Sequence, residues 1–142
     1  MLIHMMNKRM LHPEVPKNLE HVADIATGNG YAFWQGSTSI ADAPRNWIFD
    51  LKQSREGDPE ANANTNYHGW DISPDLFPKL DSAKVAGIDF SLHDFYKPFP
   101  EDQIGQYDLV HIRHLVLAIQ GSDLKVAVQN ICSLLSTLLP AP

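Results

Sequence analysis

A short apolar segment that runs directly into a glycine-containing turn is the feature that most constrains this sequence. Residues 21–26 (HVADIA) are apolar and β-compatible, and Thr27-Gly28-Asn29-Gly30 follows them. A buried strand followed by a glycine-rich turn is the usual beginning of a βα unit. Gly28 and Gly30 tolerate positive φ and let the backbone approach a ligand, because glycine has no side chain. The pattern therefore predicts a strand and a turn that faces a ligand.

Further strands and helices are predicted to alternate along the rest of the chain. The later apolar segments predict strands over residues 67–72, 88–92 and 107–112. Helical spacing predicts helices from Trp47, with Asn46 as N-cap, and over residues 123–139. Residues 56–66 are polar and predict a loop. This alternation favours an α/β fold with a doubly wound, Rossmann-like and mostly parallel sheet of about four strands.

Composition and charge exclude several classes of protein. The 142 residues include 17 acidic and 11 basic ones, a net charge of −6, with 44% apolar and 20% charged residues. These values are typical of one globular domain and argue against disorder. Because no Lys/Arg cluster compensates the acidic balance, the sequence speaks against a nucleic-acid or anionic-membrane binder.

Cysteine content and apolar run length bear on the compartment. The single cysteine, Cys132, excludes an internal disulfide framework and an all-cysteine zinc site, which favours a reducing, cytoplasmic location. The apolar runs are shorter than the roughly 18 residues that a membrane span requires. The first residues lack the long apolar region of a signal peptide, so neither a membrane anchor nor secretion is expected.

The polar residues at the predicted strand ends suggest the kind of ligand. In an open α/β sheet, ligands bind beyond the carboxyl ends of the strands. Asp71, at the end of the second strand, is placed to accept hydrogen bonds from the two hydroxyls of a ribose. Asp94, after the third strand, is placed to accept a hydrogen bond from the exocyclic amine of adenine, and Phe95 offers a flat apolar surface.

A dinucleotide dehydrogenase is the alternative nucleotide-binding family. It would need a third glycine at the position of Phe33, and an acid about 20 residues beyond the turn, whereas Asp71 lies further along the chain.

Four segments together resemble a known family. HVADIATGNG, YHGWDISPDLFP, SLHDFYKPFP and YDLVHIR, in this order, are similar to the first half of a class I S-adenosylmethionine-dependent methyltransferase, in particular the group common in fungal secondary metabolism. The resemblance covers roughly residues 11–139 and implies the strand order 3-2-1-4, S-adenosylmethionine as cofactor and a small-molecule methyl acceptor. It assigns Asp24, Thr27, Gly28 and Gly30 to the methionine part of the cofactor. It assigns Asp71 to the ribose, and Asp94, with Phe95 beside it, to the adenine.

The chain departs from the family pattern in three places. Ala26 stands where the family usually has glycine. Residues 31–45 form an apparent insertion that displaces the Trp-x-x-Asp-Leu pattern to Trp47 and the residues after it. The sequence ends where a glycine-containing turn and three more strands are expected. We therefore expect a lead-in over residues 1–20 and a partial methyltransferase domain over residues 21–142.

Two functional hypotheses follow from this comparison. One is an enzyme that transfers a methyl group to a small molecule and is impaired by the insertion and truncation. The other is a non-catalytic remnant that acts as an interaction module or is an unstable fragment. The fourth strand would then be an open apolar edge that favours self-association, with Leu134, Leu135 and Leu138 partly exposed.

The histidines near the end of the fourth strand allow two interpretations. His111 and His114 are candidates for general bases, since histidine titrates near neutral pH. A structural role is the favoured interpretation, since His111 can simply alternate along the strand, and no catalytic residue is assigned. The absence of a nearby cysteine or carboxylate pattern makes a zinc site a poor interpretation, so no metal is predicted.

Overall fold

A computed structural model of the chain describes residues 11–27, 47–77, 87–112 and 123–136. The strands in these ranges are β1 (His21–Ile25), β2 (Asn66–Asp71), β3 (Ile88–Leu92) and β4 (Leu109–Ile112). The α-helices are α1 (Trp47–Arg55) and α2 (Leu124–Cys132), and short 3-10 turns lie at Pro74–Leu76 and Glu101–Gln103. The apparent insertion over residues 31–45, Asn46 and His114 lie outside the described residues.

The four strands form one parallel sheet in the order β3-β2-β1-β4. This order confirms the sequence-based prediction. Asp24 of β1 is level with Gly69 of β2 on one side and with His111 of β4 on the other. Because all four strands run the same way, their carboxyl ends meet at one edge of the sheet. We call this edge the rim; it contains the ends of β1 to β4 and the residues that follow them.

Among the described residues, each face of the sheet packs against a helix, because side chains alternate between the faces along a strand. Val22 and Tyr67 lie on the face that buries Ile48 and Leu51 of α1. The opposite face buries a second core against the end of α2, formed by Ala23, Ile25, Trp70, Phe99, Tyr107, Ile131 and Leu134. The two covered faces give the doubly wound arrangement that the alternation of elements predicted.

The carboxylate of Asp108 joins the beginning of β1 to the beginning of β4. Its Oδ2 accepts hydrogen bonds from the backbone N–H groups of Glu20 (2.7 Å) and His21 (3.0 Å). The hydroxyl of Ser136 donates to its Oδ1 over 3.3 Å. Burial alone would raise the pKa of Asp108, but these hydrogen bonds stabilise the charged form and lower the pKa below its ordinary value.

The segment before β1 also belongs to the packed structure. Leu19 is buried in the core beneath α1, and Leu11 and Val15 pack against that core. The Arg55 guanidinium donates to the Lys17 carbonyl over 2.7 Å, which fixes this segment to the end of α1. The described part of the predicted lead-in therefore contributes to the hydrophobic core.

The last helix is shorter than predicted. Its predicted range was residues 123–139, but α2 ends at Cys132, and the prediction is wrong over residues 133–136; residues 137–139 lie outside the described residues. The Tyr107 N–H donates to the Leu134 carbonyl (2.9 Å), and the Ser136 N–H donates to the Tyr107 carbonyl (2.8 Å). These bonds draw residues 134–136 alongside the start of β4, in a parallel bridge between Tyr107 and Leu135.

The path of the chain after Cys132 decides which leucine side chains are exposed. Leu134 is 0% exposed, contrary to the expectation, because it enters the core beside Ile131. Leu135 is 41% exposed, as expected. Leu138 lies outside the described residues.

Across the ranges that the structure covers, no helix is both long enough and apolar enough to pass through a membrane.

Candidate functional site

The rim brings three of the predicted site residues into neighbouring positions. The Thr27 N–H donates to the Trp70 carbonyl over 3.0 Å, which places the residue after β1 beside the end of β2. The His93 N–H donates to the Asp71 carbonyl over 2.8 Å, which places the loop after β3 beside the same strand end. Thr27, Asp71 and Asp94 therefore follow one another along the rim. Gly28 and Gly30, which are also predicted site residues, lie outside the described residues.

Asp24 is a fully buried carboxylate with a donor on each oxygen. Its side chain is 0% exposed. The Thr27 hydroxyl donates to Oδ2 over 2.9 Å. His111 Nδ1 lies 2.7 Å from Oδ1, and because a carboxylate only accepts hydrogen bonds, Nδ1 carries the proton. Asp24 thus joins the start of the turn to β4.

The ring of His111 is itself held in place by α1. It stacks on the ring of Trp47, with centroids 3.7 Å apart and planes 9° from parallel. Sequence reasoning placed both Asp24 and His111 at strand ends but missed that they pair. The available signal was the alternation of Val22 with Asp24 and of Leu109 with His111, which puts both polar side chains on the face that α1 covers.

The chain leaves β1 through a left-handed residue. Ala26 has φ +56°, a conformation in which the Cβ of an L-residue approaches the following carbonyl oxygen. Glycine adopts this conformation without that penalty. The geometry gives a physical reason for glycine at this position, where the family resemblance also expects one.

Asp71 is buried at the very end of β2. Its side chain is 5% exposed, and its Oδ1 accepts a hydrogen bond from the N–H of Ile72 over 2.7 Å. The side chains of Ile72 and Leu92 beside it are exposed, so apolar surface adjoins the acid at the rim. A carboxylate with an apolar neighbourhood suits a sugar that carries a flat base. The assignment of Asp71 to a ribose stays a prediction.

Asp94 and Phe95 lie in a turn that is hydrogen-bonded to α2. Asp94 Oδ1 accepts from the Tyr96 N–H (3.0 Å), and its carbonyl accepts from the Lys97 N–H (2.8 Å). Asn130 of α2 donates to the Phe95 carbonyl over 3.0 Å, and the half-buried Phe95 ring packs on the second core. Their predicted contact with adenine remains a prediction.

Gly69 is a structural member of the site that sequence reasoning missed. It lies between Asp24 and Phe90 in the sheet register. A Cβ at this position would lie 2.7 Å from the Phe90 ring and 3.0 Å from Thr27 Cγ2. The missing side chain therefore lets Phe90 pack directly beneath the turn residue Thr27. A glycine inside a predicted strand was the available signal.

A partly buried chain of polar side chains on the opposite face is separate from the rim. The Tyr107 hydroxyl donates to Gln103 Oε1 (2.6 Å) and contacts His68 Nδ1 (2.9 Å), while His68 Nε2 contacts Ser91 Oγ (2.8 Å). Burial lowers the pKa of His68 and raises the pKa of Tyr107 to about 12. Both groups are therefore neutral near pH 7, so neither carries a charge within this partly buried network.

A cavity in the described part of the chain lies away from the rim. It has a volume of about 700 Å³ and is lined by residues that include Arg55, Asp58, Asn62 and Gly87. Gly87 precedes β3, so this cavity lies at the amino ends of the strands. Within the same ranges, no three histidine, cysteine or acidic side chains are grouped as a metal site.

Comparison with known proteins gives two curated relatives that are both methyltransferases. The methyltransferase grgD of a Penicillium species is 29% identical over 136 residues, which are 94% of this chain and 41% of grgD. The methyltransferase psoC of Aspergillus fumigatus is 34% identical over 70 residues, which are 49% of this chain and 24% of psoC. The chain thus spans less than half the length of either relative. No family model matches it.

Solved structures share the fold at low sequence identity. The CMeT domain of the citrinin polyketide synthase superposes with a TM-score of 0.57 and 14% identity, over 94% of this chain and 30% of that one. The trans-methyltransferase CalH, solved in complex with SAH, gives a TM-score of 0.54 and 22% identity, over 95% of this chain and 32% of CalH. The chain is thus similar to curated methyltransferases, and its fold is that of solved methyltransferase domains.

Proposed function

We propose that the chain binds S-adenosylmethionine at the rim and forms the cofactor-binding part of a methyltransferase that acts on a small molecule of fungal secondary metabolism. The observation that carries the proposal is the row formed by Thr27, Asp71 and Asp94 at the carboxyl ends of parallel strands. The names of the curated relatives and the SAH bound by CalH support it.

The side chains of the rim suit an adenosyl group. The carboxylate of Asp71 lies at the end of β2, and carboxylate oxygens accept hydrogen bonds of the kind that ribose hydroxyls donate. Asp94 uses one oxygen to order its turn and has further capacity to accept from an amine. The exposed side chains of Ile72 and Leu92 supply apolar surface for a flat base.

The protein contributes binding and orientation to the proposed reaction. Bound S-adenosylmethionine supplies a sulfonium-activated methyl group. Asp71 and Asp94 would hold the nucleoside at its ribose and its base, while Asp24 orders the turn through the Thr27 hydroxyl. Fixing the nucleoside at two points orients the rest of the cofactor, and orientation is a large part of catalysis in group transfer.

Calorimetric titration with S-adenosylmethionine tests the proposal. We expect saturable binding by the unsubstituted chain and about ten-fold to hundred-fold weaker binding by Asp71→Asn, because a charge-assisted acceptor is lost. Asp89→Asn is the matched control, since it removes the same charge from the opposite face of the sheet, beside His68. No heat of binding at millimolar cofactor with the unsubstituted chain would refute the proposal.

A second candidate function is self-association without catalysis. It is supported by the position of β4 at the end of the described sheet and by the exposed side chain of Ile112. It is also supported by Leu124, Val126 and Val128 of α2, which are all exposed. Sedimentation velocity tests it: a dimer or larger species is expected, and a monomer at tens of micromolar with a sharp thermal transition would contradict it.

A further inference from the structure

The buried carboxylate of Asp24 needs hydrogen-bond donors, and one comes from a distant strand. A charged group removed from water is stable only when it is paired and hydrogen-bonded. Thr27, three residues further along the chain, donates to one oxygen. The other oxygen pairs with His111, 87 residues away in sequence and level with Asp24 in the sheet.

The position of His111 is fixed from two directions. Its backbone is part of β4 and pairs with β1. Its ring lies flat on Trp47 of α1, 3.7 Å between centroids, which restricts rotation of the ring away from Asp24. Nδ1 is therefore directed at Asp24 Oδ1, and the carboxylate plane is set by a group outside its own strand.

We propose that His111 is a positioning residue for the turn after β1. By holding Oδ1, it keeps Oδ2 of Asp24 on the Thr27 hydroxyl, where the turn toward Gly28 begins. This inference rests on the proposed binding of S-adenosylmethionine at the rim, and it assigns part of that affinity to a side chain that acts through Asp24. His111 is not required to touch the cofactor.

Substitutions at position 111 separate the hydrogen bond from the ring. In His111→Asn, the side-chain amide nitrogen takes the place of Nδ1 and keeps the donor while the ring is lost. In His111→Phe, the ring can still stack on Trp47, but the donor is lost. In His111→Gln, the side-chain amide lies nearer the position of Nε2. The side chain stays polar, but it has no donor at the position that hydrogen-bonds to Asp24 Oδ1.

Titration with S-adenosylmethionine reads out the effect. We expect His111→Asn to bind within about three-fold of the unsubstituted chain, and His111→Phe to bind about ten-fold or more weakly, since a charge-assisted hydrogen bond to a buried carboxylate is lost. His111→Gln is expected to resemble His111→Phe, and it keeps the test valid should the phenylalanine variant fail to fold. His21→Phe, at the amino end of β1, is the matched control and is expected to bind normally.

The outcomes distinguish this inference from the proposed function. Binding by the unsubstituted chain that His111→Phe and His111→Gln leave unchanged would overturn the inference alone. Weak binding by His111→Asn, equal to that of His111→Phe, would show that the donated hydrogen bond does not restore the affinity, and would also overturn the inference. Absence of binding by the unsubstituted chain would overturn the proposed function together with the inference. Nitrogen-15 spectra of the histidine rings give a separate check, with His111 expected to carry its proton on Nδ1.

Discussion

Replacing Ala26 by glycine is expected to stabilise this protein. Residue 26 has φ +56°, and the left-handed conformation costs an L-residue with a Cβ about 1–2 kcal/mol. Glycine avoids that cost, but its greater freedom in the unfolded chain removes about 0.5–1 kcal/mol of the gain. The net stabilisation expected for Ala26→Gly is therefore about 0.5–1 kcal/mol, or roughly 1–4 °C in Tm for a chain of this size.

Thermal and urea unfolding followed by circular dichroism measure the effect, with two controls. Ala23→Gly introduces glycine at a fully buried position of β1 and is expected to destabilise by about 0.5–1 kcal/mol or more, since no left-handed strain is relieved there. Gly57→Ala places a methyl group in open space at φ +83°, so it combines the same strain and unfolded-chain effects with the opposite sign and without a change in packing. We expect Gly57→Ala to destabilise the fold by about 1 kcal/mol.

The sign of the stability change in Ala26→Gly tests whether the backbone at residue 26 is left-handed. A loss of stability in Ala26→Gly equal to that in Ala23→Gly would mean that the backbone at residue 26 is not left-handed. The description of the turn after β1 would then be wrong, because the hydrogen bond from Thr27 to the end of β2 follows directly from the path of the chain through residue 26.

Three further predictions concern packing and pH. Gly69→Ala should destabilise by about 1–3 kcal/mol, because its methyl group would overlap the Phe90 ring, and Phe90→Leu should recover part of the loss in a double-mutant cycle of urea unfolding. Asp108 has a folded pKa below its ordinary value, so its contribution to stability is complete above about pH 4 and is lost as pH falls through the folded pKa. The free energy of unfolding of Asp108→Asn should therefore fall less steeply with decreasing pH than that of the unsubstituted chain. His68 also has a folded pKa below its ordinary value, so its contribution is complete above about pH 6.5 and is lost as pH falls through the folded pKa. His68→Phe should remove that component from the same curve and leave Tyr107 without its ring-nitrogen partner, lowering stability at pH 8 by about 1–3 kcal/mol.

The strands were predictable because local patterns specify them. The observed β3, Ile88–Leu92, coincides with the prediction, and β1 differs by one residue at its end. Short apolar runs bounded by polar or glycine residues are typical of buried parallel strands, and alternation with helices then favours a parallel sheet. The order 3-2-1-4 came from the family resemblance, since no local pattern encodes which strands are neighbours.

The end of the last helix was not predictable from periodicity. Leu134 and Leu135 continue the apolar spacing of α2, so the pattern extends past Cys132. The backbone nevertheless turns there, because Leu134 and Ser136 can exchange hydrogen bonds with Tyr107 at the edge of the sheet. An apolar side chain can be buried on the apolar face of a helix or in an extended core segment, and tertiary hydrogen bonds decide which backbone conformation forms.

The positive φ of Ala26 could likewise not be predicted from residue propensities. Alanine favours helices and ordinary strands, and nothing in its chemistry indicates a positive φ. Only the glycine that the family resemblance expects at this position pointed to the constraint. The left-handed turn is set by the direction in which β1 must deliver Thr27 to the end of β2.

The pairing of Asp24 with His111 shows how the site and the sheet register depend on each other. Two polar residues near strand ends can be read from sequence, but their pairing requires β4 to lie level with β1. A shift of one residue would turn His111 to the opposite face and leave Asp24 buried without it, and an unpaired buried charge costs about 3–5 kcal/mol. That cost is a large fraction of the stability of a small domain. The hydrogen bonds from Glu20 and His21 to Asp108 select the same register from the other end of the strands, so β4 is aligned at both ends by carboxylates. The residues that order the turn after β1 are therefore also residues that select one strand alignment over its neighbours.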